Sequence, residues 1–200
     1  MRTDRLGGAA VVVLAAMLLG ACTPHIPPSG SGQFLSAPGT SPIVGSGPLR
    51  TYSVQVEVET AIDPAIFAWY VDLTLFDSRS WTGKGQFALQ RVPAGGDFIV
   101  TLATAATTDQ LCAPLGTNGI YSCFNRGRSV INLWRWYTPP AHWAIGADEY
   151  RAYLVNHEVG HALGFGHASC PSAGAIAPVM VQQTISLYGC SANGWPHPFN

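Results

Sequence analysis

The order of periodic segments in this 200-residue chain predicts an α+β domain, built on a twisted mixed sheet with mainly sequential strands and two main helices. Three observations point there. A stretch near Tyr52 alternates strictly between apolar and polar residues, a helix opens with a clear start signal at Asp63–Pro64, and a second helix begins near Asp148 after several short β-type runs. The chain is long enough for one hydrophobic core.

From Tyr52 to Glu59, Tyr52, Val54, Val56 and Val58 share one face and Ser53, Gln55, Glu57 and Glu59 the other, the period of two of a half-buried strand. Asp63 then stands as N-cap with Pro64 at the first helical position, and a helix is expected to about Leu75. Ile66, Trp69, Tyr70 and Leu73 follow helical spacing and are expected to form its core face. "GQFALQRVP" and "DFIVTLAT" read as two strands joined by the turn "AGGD". "GIYSCFNRGRSVINLWRW" reads as two more around "NRG". The last helix begins near Asp148, where Asp148 and Glu149 suit the positive end of the helix dipole, and Gly164 is placed to end it. Residues 168 to 200 show no long periodic element, and there is no internal repeat.

Composition narrows the class of function. Only 10% of residues are charged and the net charge is −1, so there is no concentrated basic surface and no reason to expect a nucleic-acid partner. The N-terminus, residues 1–21, reads as an export signal: a short positive start, "MRTDR", then an uncharged apolar run from Leu6 to Ala21. The run ends "LLGAC", which resembles the bacterial lipobox. That makes Cys22 the lipidation candidate and places the chain on the outer face of the bacterial cell membrane as a lipoprotein; the alternative is an ordinary cleaved signal and a secreted chain. Acyl chains would supply the anchor at roughly 0.8 kcal/mol per buried CH₂. Residues 22–48 are rich in Pro, Gly and Ser and read as a flexible tether, leaving 49–200 as the domain. Cys112, Cys123, Cys170 and Cys190 remain, an even count that in an exported chain suggests two disulfides. Three pairings are open, and loop economy favours Cys112–Cys123 with Cys170–Cys190.

The chemistry concentrates in "HEVGHALGFGH", residues 157–167. Four residues apart on a helix, His157 and His161 aim their rings at one point. Imidazole suits Zn²⁺. Glu158, offset by about 100°, borders the same cleft without competing for the ion, as a general base must. A third ligand requires the chain to fold back, and Gly164 supplies the φ > 0 conformation that returns His167 to the metal. Three protein ligands leave one position for water. A buried helix with capped histidines is the structural alternative. The full pattern H-E-x-x-H-x-x-G-x-x-H arises by chance about once in 10⁵ shuffled chains of this composition.

This motif resembles that of the metzincin zinc peptidases. The resemblance extends over residues 49–200, and in the run "YRAYLVNHEVGHALGFGH…CP…APVMVQQT…GC" it is closer to an uncharacterised metzincin-like domain of actinobacterial envelope proteins. It implies a metzincin-like (zincin) fold in which the active-site helix is followed by an irregular C-terminal subdomain. It also implies a methionine turn, for which Met180 is the candidate, and an extended peptide or protein substrate paired to a strand edge, with Ile120–Phe124 as the expected edge. The sequence departs from the family at Ala168, where several metzincin families carry a diagnostic residue, and at Gln182, where astacin-like and serralysin-like enzymes carry a tyrosine. Tyr188 and the aromatic cluster Trp134, Trp136, Tyr137 and Trp143 are weighed as cleft walls, the cluster equally as core. His25, His142 and His197 receive no role. The function expected is peptide-bond hydrolysis by a zinc endopeptidase at the cell envelope; the alternative is a catalytically silent, zinc- and disulfide-stabilised binding module.

Overall fold

A computed structural model describes residues 25–200; the apolar run Leu6–Ala21 and Cys22 lie outside the described residues. Among the described residues seven strands form one mixed sheet: β1 (Phe34–Ser36), β2 (Val44–Gly45), β3 (Leu49–Glu57), β4 (Ala88–Arg91), β5 (Phe98–Ala103), β6 (Cys123–Asn125) and β7 (Arg128–Asn132). Four α-helices accompany them among the described residues: α1 (Pro64–Leu75), α2 (Ala105–Cys112), α3 (Leu133–Tyr137) and α4 (Ala147–Ala162). The sheet order is β2-β4-β3-β5-β7-β6. The inner strands β4, β3, β5 and β7 run parallel, and β6 closes one edge antiparallel to β7. No helix among the described residues is long and apolar enough to cross a membrane.

The alternating stretch becomes the spine of the sheet. Tyr52, Val54 and Val56 of β3 and Phe98, Val100 and Leu102 of β5 turn to the face covered by α1 and α4 and are fully or almost fully buried. Each such side chain contributes about 1.5–3 kcal/mol relative to exposure. The opposite face carries a smaller cluster, Ala103, Cys112, Cys123 and Val130, under α2 and Phe34. The alternation stops earlier than expected: Val58 lies in a 3₁₀ turn, Val58–Thr60, and is 45% exposed.

Several expectations are corrected. Residues 25–48 are not a free tether, because β1 pairs with Gln55–Glu57 of β3 and β2 with β4. The buried Glu57 carboxylate holds this segment down, accepting from the backbone N–H of Gly32 and of Thr104 (both 2.8 Å) and from the Thr107 hydroxyl at 2.6 Å. A Cβ on Gly30 would sit 2.2 Å from Glu57 Oε1, so only glycine allows the close approach. The strands joined by "AGGD" do not pair with each other. Both flank β3, β4 at Leu49–Tyr52 and β5 at Tyr52–Val56, and the connection crosses over β3 with Gly96 (φ +92°) lying against Thr51 and Tyr52. α2 was not foreseen. The strand expected to continue through Trp136 ends at Asn132, whose side chain caps α3 by accepting from Trp134 N–H.

α1 spans the expected residues, with the Asp63 carboxylate accepting from Ala65 N–H. Its faces are exchanged, however. Phe67, Ala68, Val71 and Leu75 are buried, whereas Ile66, Trp69 and Leu73 are 56%, 55% and 56% exposed.

The disulfides are Cys112–Cys123 and Cys170–Cys190. The first ties α2 to the edge strand β6. The second staples the irregular C-terminal segment, whose only bridge among the described residues is Ile176 with Ser191. Because that segment has so little regular pairing, replacing Cys170 and Cys190 by Ser is expected to lower stability by about 3 kcal/mol, the value for loops of this size. Urea unfolding of the two proteins reads it.

Candidate metal centre

α4 places the motif. Its central residues Tyr150 and Ala152–Gly160 are buried on nearly every side. Asn156 locks the helix between two loops, accepting from the Ser80 hydroxyl at 2.7 Å and donating to Gly194 O at 2.8 Å, while Trp81 Nε1 donates to its backbone carbonyl. The helix ends in a Schellman turn: Gly164, at φ +98°, donates to His161 O and Phe165 N–H donates back to Gly160 O. The Phe165 ring stacks on Trp81 with centroids 4.5 Å apart.

That turn brings the three histidines together. Ring nitrogens of His157, His161 and His167 lie within 4.8 Å of one another, and His161 Nε2 is 3.1 Å from His167 Nε2. A tetrahedral zinc ion with Zn–N near ~2.0 Å would space its nitrogens by about 3.3 Å. Two of the rings are oriented by backbone carbonyls. His157 Nδ1 donates to Val179 O at 2.9 Å and His161 Nδ1 donates to Phe165 O at 2.8 Å. A carbonyl can only accept, so each Nδ1 carries the proton and each Nε2 presents a lone pair. Such outer partners are what fix a ligand histidine's tautomer. Burial lowers all three basicities and takes His157 down to about 3, so that ring is neutral at physiological pH, as a ligand must be.

Met180, the expected methionine turn, is buried and its sulfur lies against Gly160. The backbone here connects two of the histidines: Val179 O receives His157, and Met180 O receives the N–H of Ala168, next to His167. A Cβ on Gly160 would lie 2.5 Å from Met180 Sδ and 2.8 Å from Trp81 Cζ2. Gly160→Ala is therefore expected to destabilise by about 1–3 kcal/mol. An open helical position would instead gain about 1 kcal/mol. Denaturant midpoints distinguish the two signs.

Glu158 lines the same cavity as the three histidines, a space of about 600 Å³. Burial alone pushes its carboxyl up to about 8. A buried carboxylate without a compensating cation, beside three convergent imidazoles, fits a divalent ion in the histidine cluster, whose charge would draw that carboxyl back to its ionised form. The remaining wall includes Leu115, Thr117, Tyr121–Phe124, Tyr153, the turn at Gly164–Gly166, Gln182, Thr184 and Ile185. The edge strand β6 thus borders the cavity at Cys123 and Phe124. Ile120, by contrast, belongs to a turn, bonding to Thr117 O.

Other residues fall elsewhere. Trp136 packs on Phe67 and Tyr70, Trp143 on Tyr150 and Tyr153, and neither lines the cavity. Tyr188 is exposed and outside the lining. His142 bonds to Gln183 O at 2.8 Å, a structural role. Sequence reasoning missed Tyr153. Its ring centroid is 5.2 Å from that of His157, and its hydroxyl donates to Val181 O and accepts from Gln183 N–H, clamping the Met180 segment to α4. Its spacing of four from His157 on one helix was the available signal.

The fold and site define an α+β domain whose three-histidine cluster could bind a metal ion. The chain matches the family described as "Protein of unknown function (DUF3152)" over residues 22–193 and belongs to that family. No curated protein matches it, and no solved structure does.

Proposed function

We propose that the chain is a zinc-dependent, metzincin-like endopeptidase acting at the cell envelope. The observation that carries this reading is the convergence of His157, His161 and His167 with a buried, uncompensated Glu158 in one open cavity.

His157, His161 and His167 would hold a zinc ion, which would supply a Lewis acid for the scissile carbonyl and make the attacking water more acidic. Glu158 accepts a proton from the attacking water on a carboxylate oxygen and delivers it to the leaving amine. The neutral rings of His157 and His161 keep their Nε2 lone pairs aimed inward because their Nδ1 protons are held by Val179 O and Phe165 O. The antiparallel edge strand β6 supports an extended substrate backbone beside the cavity. In the two-residue hairpin at Arg126–Gly127, Asn125 and Arg128 form the hydrogen-bonded pair, so the N–H and C=O of Phe124 point away from β7. Gly164 and Met180 serve as the returning turn and the packed floor. On this reading Cys22 carries the lipid anchor.

Digestion of a mixed peptide library at neutral pH, with zinc and with chelator, tests the reading. Zinc-dependent cleavage within peptide chains is expected. A zinc-loaded native chain that cleaves nothing would favour the silent binding module.

A further inference from the structure

We propose that the outer face of α1 is the surface on which the domain rests against the membrane, with Trp69 at the lipid interface. This builds on the reading of Leu6–Cys22 as an export signal ending in a lipid anchor.

Ile66, Trp69 and Leu73, spaced three and four apart, form one stripe, each more than half exposed. A helix packed on a sheet ordinarily turns polar residues outward. Here the outward stripe is apolar, and shallow grooves flank it on both sides, one with Ile62, Tyr70 and Arg151, the other with Pro42, Phe76, Asp77 and Arg91; each of these charges is paired, Arg151 with Asp148 and Asp77 with Arg79 at 2.8 Å, and Arg91 with Asp72. The only charged residue within α1, Asp72, is ion-paired from the inner side with Arg91 at 3.0 Å and accepts from the Tyr52 hydroxyl at 2.7 Å. The stripe therefore offers apolar and aromatic surface without a free charge, as side chains at the acyl–headgroup boundary do.

The length of the tether selects the occupant. Ile26 already packs against the main hydrophobic core. Only residues 22–25 separate it from the end of the apolar run at Ala21, and four residues reach at most about 14 Å. A lipid at Cys22 thus holds the domain at the bilayer surface, and a free apolar face is then covered by lipid. None of Ile66, Trp69 and Leu73 lines the candidate metal cavity, which stays open to substrate. Without a basic cluster on the stripe, docking is independent of anionic lipid.

Two of the six tryptophans are exposed, Trp69 and Trp134 at 44%, and these provide the test. The full chain is reconstituted in phosphatidylcholine vesicles with and without dibrominated acyl chains, and tryptophan emission is compared. Bromine-dependent quenching is expected in the native chain and in Trp134→Phe, and is lost in Trp69→Phe; replacing part of the lipid by phosphatidylglycerol leaves it unchanged. Vesicle flotation reads the anchor separately. A chain that floats but is quenched equally in Trp69→Phe overturns the docking face and leaves the anchor standing. A chain that does not float overturns both. If Trp69 is shielded without bromine quenching, and the chain sediments as a dimer that the combined change of Ile66, Trp69 and Leu73 to Ser splits, the face belongs to a second copy and the membrane proposal fails.

Discussion

Glu158→Gln is expected to lower kcat for peptide hydrolysis by about 10²–10⁴-fold, the span attributed to a positioned general base, while zinc content stays stoichiometric. Glutamine keeps the size and shape of the side chain and cannot take a proton. The surroundings sharpen the expectation. Glu158 is 5% exposed and its pKa is raised by burial, and among the described residues no cation or donor is paired with its carboxyl. A residue held that way for stability would be unusual, because a buried ionisable group without a partner costs stability. The substitution should therefore leave the unfolding midpoint unchanged or raise it while activity collapses, the opposing signs of a site in which function is maintained at the expense of stability. Single-turnover kinetics, metal analysis and thermal unfolding on the same preparation read the three quantities. A Glu158→Gln protein as active as the native chain would remove the proton-transfer role.

What was legible in the sequence is local, and what was not legible depends on the partner of each element. The span of α1 was readable because Asp63 and Pro64 act within the first turn. Its buried face was not. The helix is apolar nearly all round, so helical spacing picks out two stripes, and the sheet took Phe67, Val71 and Leu75 rather than Ile66, Trp69 and Leu73. The strands of "GQFALQRVP" and "DFIVTLAT" were readable as strands, but a short glycine turn suggests pairing between neighbours. The crossing over β3 is visible only once β3 is in place between them. The tether was misread from composition: Pro- and Gly-rich residues 25–48 are anchored by long-range bonds to Glu57 and to the sheet edge, which no local signal contains. The centre was the most legible part. The positions of His157, Glu158 and His161 are set by one helix, and that of His167 by one glycine. The carbonyls that orient the rings come from Phe165 next door and from Val179, and only the first could be anticipated.

His157→Ala and His167→Ala are expected to fail in different ways. Each removes one of three ligands and should weaken zinc affinity by more than about 100-fold, beyond the loss from an outer partner. They part in chelator. His167 is exposed and its ring has no carbonyl partner among the described residues, so metal-free His167→Ala should match the metal-free native chain within about 0.5 kcal/mol. His157 is 5% exposed and donates to Val179 O, so its truncation leaves a buried void and an unpaired carbonyl. Together these cost about 2–4 kcal/mol before any metal is considered. Adding zinc at a thousand times the native dissociation constant should raise native stability by about 4 kcal/mol and either variant by no more than about 1.4 kcal/mol. Denaturant unfolding of the three proteins, with and without zinc, therefore yields one order in chelator, native and His167→Ala above His157→Ala, and another in zinc, native above both. If His167→Ala gains as much stability from zinc as the native chain, His167 is not a ligand, and the turn at Gly164 merely brings it near. If native and variant chains alike ignore zinc, the three rings are a packed cluster. The buried Glu158 beside them then loses the ion that would explain its place.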